Sequence, residues 1–186
     1  MKIYMIRHGE TEGNRKGFFA DRYEPLNDRG REQIRAAAQR AKELPLEQLI
    51  TSPYVRTLET SKILNEQLQL PVTEDIGIRE IHMGILEGHY FDEVYQLRRQ
   101  ELDYWMEDPR NRTLPEGESI DELLQRGRAF LEGARDRTLY VSHEAFIRSV
   151  LSLVQGCDFI QARRVENGEL VCLEQGPGGQ WCETEL

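Results

Sequence analysis

The chain alternates short apolar runs with longer amphipathic stretches. Residues 2–6, KIYMI, form a β-rich run that predicts a buried strand. A polar stretch from Gly9 to Glu24 follows, carrying Arg15, Lys16 and Arg22. Residues 26–44 predict a helix with Asn27 as N-cap and Pro45 as its stop. Its apolar face holds Ile34, Ala37, Ala38 and Ala41. Residues 49–51 are a brief strand, and SPYVRTLETSKIL then predicts a helix capped by Ser52, with Pro53 in its first turn.

Val72 and Thr73 begin another short strand, residues 75–88 are loop-like, and residues 91–108 predict one polar, aromatic helix. A loop with Pro109 and Pro115 leads to Ser119, which with Glu122 forms a capping box. Ile120, Leu123, Leu124, Phe130, Leu131 and Ala134 are the stripe of the helix that follows. Residues 138–141 are a strand running into Ser142 and His143; residues 144–155 are a helix ended by Gly156. The tail predicts a hairpin at a sheet edge. This order, strands alternating with helices, predicts an α/β three-layer sandwich: one domain over residues 1–186 with a mostly parallel central sheet and helices on both faces.

Composition narrows the function classes. The 186 residues are 39% hydrophobic and 31% charged, as a globular chain is. A formal net charge of -9 argues against a nucleic-acid surface but permits a small anion held by a local arginine cluster. Cys157, Cys172 and Cys182 have neither CxxC nor metal spacing and read as reduced thiols. No long apolar run marks a leader or a membrane span, so a cytoplasmic location without membrane or nucleic-acid partners is expected. Oligomeric state stays open, a homodimer included.

In parallel α/β sheets, ligands bind beyond the carboxyl ends of the strands. Arg7 and His8 follow the first strand, Arg56 lies early in the helix after the second, and His143 follows the strand at 138–141. Two arginines and two histidines at one sheet edge suit a phosphate dianion, because guanidinium pairs bidentately with it. Gly9 is expected to leave the anion's approach clear, and the helix after Ser52 to add backbone N–H groups.

RHGETEGN, SPYVRTLET, REIHMGILEGHYFDEV, LPEGES and LYVSHEAFIRSVL, in this order, resemble the histidine phosphatase superfamily, the phosphoglycerate mutase-like fold, over nearly the whole chain. The resemblance implies that His8 is a nucleophile forming a phosphohistidine, with Arg7, Arg56 and His143 on the phosphoryl oxygens. It implies Asn14 as a phosphate contact and Glu80 as proton donor, with Glu87 and Glu118 as rivals for that role. It implies no cofactor and no metal: two arginines and a protonated histidine supply the positive charge. Four histidines without HxxxH or HxH spacing agree, and His82 and His89 read as solvated loop residues.

The departures concern substrate. Glu144 and Ala145 stand where relatives often have two glycines, Glu116 where a glycine is common, and His82-Met83 where an acidic or polar residue and an aromatic are frequent. Glu144 would repel a phosphate unless it points to solvent or is matched by a basic group of the substrate. A lid is expected over residues 76–118, its Tyr95, Tyr104 and Trp105 serving either as packing or as contacts to the leaving group. The segment from Trp105 to Ser119 looks most like the short phosphatases of the α-ribazole phosphatase type. The expected activity is metal-independent hydrolysis of small phosphomonoesters, such as α-ribazole phosphate, a sugar phosphate or phosphoserine. A phosphoglycerate mutase and a non-catalytic phosphate-binding module are the alternatives.

Overall fold

The computed structural model describes residues 1–186. Strand β1 (Lys2–Arg7) is central in a six-stranded sheet of order β3-β2-β4-β1-β5-β6, where β2 is Gln48–Thr51, β3 Val72–Glu74, β4 Thr138–Ser142, β5 Leu170–Gln175 and β6 Trp181–Thr184. β1, β2, β3 and β4 run parallel, and the β5–β6 hairpin joins β1 antiparallel. Cys157, Cys172 and Cys182 are unpaired. No helix is long and apolar enough to cross a membrane.

The alternation along β1 divides the core. Tyr4 and Ile6 face α2 (Asp28–Ala41) and α3 (Val55–Leu68), with Ile34, Ala38 and Leu64. Ile3 and Met5 face α6 (Ile120–Gly133) and α7 (Glu144–Gln155), with Leu123, Phe146 and Val150. Each fully buried side chain of this size contributes roughly 1.5–3 kcal/mol of transfer free energy. Those two faces are the outer layers that the strand–helix alternation predicts.

Three local expectations change. The polar stretch after Gly9 contains a short helix, α1 (Glu12–Lys16), closed by a Thr11–Asn14 capping box and by Gly17 at φ 81°. The expected helix at 91–108 is two, α4 (Phe91–Leu97) and α5 (Arg99–Glu107), which meet at Arg98 with φ -130° and ψ 38°. Helix α3 starts at Val55 with Tyr54 as its N-cap position, so Ser52 is not a cap and Pro53 lies ahead of the first turn. The loop at 75–88 also holds two single 3-10 turns, Ile76–Ile78 and Gly84–Leu86.

The segment expected to be a lid, residues 76–118, has a core of its own. Leu86, Val94, Leu102 and Leu114 are buried together, and Phe19, Phe91, Tyr95 and Trp105 pack against them. Its root is tied down by Arg126 of α6, which donates to the carbonyls of Gly77 and Arg79 at 2.8 and 3.1 Å and forms a two-bond pair with Glu118 at 2.6 and 2.8 Å.

Candidate active site

Three strand ends build the site. The backbone N–H of His8 donates to Ser142 O at 3.0 Å, and that of Ser52 to Val141 O at 3.0 Å. These bonds extend the sheet past its last side chains and bring His8, Ser52 and His143 side by side. The His8 and His143 rings lie 5.3 Å apart, edge to face. Gly9 serves packing rather than anion approach: a Cβ there would collide with the backbone of Gly30 at the start of α2.

The surroundings of His8 fix its tautomer. Nδ1 donates to the Gly9 carbonyl at 2.7 Å, since a carbonyl only accepts. Nε2 therefore carries the lone pair, and it accepts from Arg56 Nε at 3.2 Å. Burial, with Arg56 and then Arg7 nearby, pushes the His8 pKa well below the usual histidine range. Arg56 is itself only 2% exposed, and its Nη1 donates to Asp21 O at 2.6 Å. Arg7 donates to Val165 O at 2.7 Å, and its Nε is buried without a partner.

His143 is fully buried. Its Nε2 lies 2.8 Å from Ser52 Oγ, and its Nδ1 has no partner. Burial, Arg56 and His8 push its pKa well below the usual range. The expected protonated histidine is therefore corrected to a neutral imidazole, and the arginines carry the fixed positive charge.

A cavity of about 550 Å³ opens above His8 and is lined by Arg7, Arg56, Asn14, Glu80 and Glu144 among others. His143 is behind His8 rather than in the cavity wall. Glu80 accepts from the N–H of Ile81 at 3.0 Å and of Ala145 at 3.1 Å, so the start of α7 orients its carboxylate. Glu118 is held by Arg126, and Glu87 accepts from the Met83 N–H at 3.2 Å; neither lines the cavity. His82, tied to Gly84 N–H through Nδ1, and His89 lie outside it as well. Tyr95 and Trp105 belong to the lid core and Tyr104 is exposed; the aromatics in the cavity wall are Phe18 and Phe19.

Residue-by-residue reading misses several partners. Asn167 donates to His8 O at 3.0 Å and to Asn14 Oδ1 at 3.1 Å, steadying both. Thr60 accepts from Gly9 N–H at 3.3 Å. Phe18, Phe19, Arg164 and Asn167 carry no spacing signal. Ser52, whose Ser-Pro context reads as a helix cap, is instead the partner of His143.

Residues 3–185 match the histidine phosphatase superfamily (branch 1), and the chain belongs to that family. Membership supports an enzyme of phosphoryl chemistry, a hydrolase or a phosphotransferase. Proteins named probable phosphoglycerate mutase GpmB, from Shigella boydii serotype 18 and from Escherichia coli K12, are 33% identical over 175 residues, covering 89% of this chain and 80% of theirs. A putative α-ribazole-5'-P phosphatase from Escherichia coli K-12 superposes with a TM-score of 0.91 at 22% identity, over 100% of this chain and 95% of that one. A mycobacterial glucosyl-3-phosphoglycerate phosphatase in complex with VO3 superposes with a TM-score of 0.81 at 21% identity, over 100% and 98%. These two show the shared fold.

Proposed function

We propose that the protein hydrolyses small phosphate monoesters through a phosphohistidine on His8, without a metal ion. The observation that carries this reading is the single neutral tautomer of His8, its Nε2 lone pair beside Arg56 and next to the cavity that Glu80 lines. In the first step His8 Nε2 attacks phosphorus, the bond from phosphorus to the ester oxygen breaks, and Glu80 gives that oxygen its proton. Arg7, Arg56 and Asn14 bind the phosphoryl oxygens, and the buried His143, edge to face with His8 and bonded to Ser52, backs the ring of the nucleophile. Water then attacks the phosphohistidine, Glu80 takes the water's proton, and phosphate leaves.

A screen for phosphate release over a panel of small phosphomonoesters, in EDTA, tests this reading. Release by the native chain, lost together with acid-labile phosphoenzyme in His8→Ala, is expected. Activity restored only by a divalent metal would move the mechanism to metal-assisted hydrolysis. The names of the 33% identical relatives favour one second reading, phosphoglycerate mutase. Incubation with 3-phosphoglycerate and a trace of 2,3-bisphosphoglycerate separates the two: a mutase yields 2-phosphoglycerate, a phosphatase free phosphate.

A further inference from the structure

Glu144 is the carboxylate the mechanism leaves unused. It is the first residue of α7 and lines the same cavity as His8. Its Oε1 is buried without a hydrogen-bond partner, and no cation pairs with it at salt-bridge distance. The other carboxylates of the lining are accounted for differently. Glu80 has its two N–H donors, Glu10 has Asn27 and Arg29, and Glu166 is exposed to water. Burial and the nearby Glu80 raise the Glu144 pKa, outweighing the opposing pull of Arg7, Arg148 and Arg164, none of which reaches it at salt-bridge distance.

A half-buried carboxylate with one oxygen sealed from water beside a phosphate site works against binding of a dianion unless the ligand itself brings a donor to it. We infer that Glu144 selects the leaving group, and that the substrate is a phosphomonoester of an amine-bearing alcohol whose ammonium pairs with Glu144 while its phosphate occupies the Arg7–Arg56 end of the cavity. This deepens the phosphomonoester reading and rests on it for the placement of the phosphate. A charge-assisted pair in a desolvated wall is strong, and a hydroxyl in the ammonium's place forms a weaker bond. Glu144 is a specificity residue here; the bond-breaking groups remain His8 and Glu80.

Two matched pairs of probes of different reach test the inference. One is O-phosphoethanolamine against 2-hydroxyethyl phosphate; the other is glucosamine 6-phosphate against glucose 6-phosphate. Each pair replaces an ammonium by a hydroxyl. Their binding is measured by calorimetry on His8→Ala, where no turnover interferes, and on His8→Ala combined with Glu144→Gln. The amine member of at least one pair should bind about tenfold more tightly or better, and the preference should shrink to about twofold or less with Glu144→Gln. Glu144→Ala is the second variant, with circular dichroism to confirm folding, and should lose the preference as well. Equal binding within both pairs, a preference that survives loss of the carboxylate, or no binding by any of the four probes overturns the inference. Turnover of p-nitrophenyl phosphate by the native chain reports the hydrolase reading separately. Amine selectivity without turnover would sink hydrolysis alone, and turnover without selectivity would sink this inference alone.

Discussion

Glu80 is oriented by two backbone N–H groups, and the carboxylates of Glu87 and Glu118 are engaged elsewhere. This makes a sharp test of a proton donor at the scale of a single residue. An alkoxide leaving group needs a proton as the bond to phosphorus breaks, whereas nitrophenolate is stable as an anion. Glu80→Gln should therefore slow phosphoenzyme formation from an alkyl phosphate by about a hundred to ten thousand fold, and from p-nitrophenyl phosphate far less. Single-turnover quench-flow is the measurement, because both substrates share the hydrolysis step. Equal slowing of the two substrates by Glu80→Gln, with the leaving-group dependence appearing in Glu87→Gln, would identify the other carboxylate as the donor.

Arg126 joins α6 to the lid root at the scale of elements. It ties Glu118 to the carbonyls of Gly77 and Arg79, one residue short of Glu80. Both side chains of the pair are largely buried, at 15% and 8% exposure. Arg126→Met should lower stability by about 3 kcal/mol, since the buried Glu118 would keep only the longer pair with Arg79 at 3.6 Å and the His82 N–H. Urea titration measures it, and Arg126→Met with Glu118→Leu should recover much of the loss. The same elements show what a sequence makes legible. Strands β1, β2 and β4 were readable because their apolar runs are short and fully buried, and the α6 capping box because both partners lie three residues apart. Helix α1 was not: it is five polar residues burying only Gly13, so no apolar period announces it. The break at Arg98 falls in a polar run with no glycine or proline to mark it. Ser52 gave its hydroxyl to His143, ninety-one residues away, and local pattern cannot see such a partner. Arg7, His8, Arg56 and His143 were legible because strand ends and motif spacing coincide. Asn167 and the phenylalanines of the cavity wall reach it only through tertiary packing.

Two neutral, buried histidines bear on the whole molecule through pH. His8 and His143 have folded-state pKa values well below the unfolded value of about 6.5. Below that pH the unfolded chain takes up protons that the folded chain refuses. Their contribution to stability is complete above about 6.5 and falls as pH drops, by up to about 1.4 kcal/mol per pH unit for each histidine. Glu144, with a raised pKa, titrates in the opposite sense, one group against two. Urea midpoints should therefore decline from pH 7.5 to 5.5; a flat series would show that the histidines are not held neutral. The separate core of residues 76–118 has a consequence for local unfolding. Leu86, Val94, Leu102 and Leu114 form a buried cluster apart from the two main cores, and such a cluster is expected to open as its own cooperative unit while the sheet stays closed. In native-state deuterium exchange the amides of Val94 and Leu102 should report one shared opening free energy, well below that of Met5 and Tyr140 in the central strands.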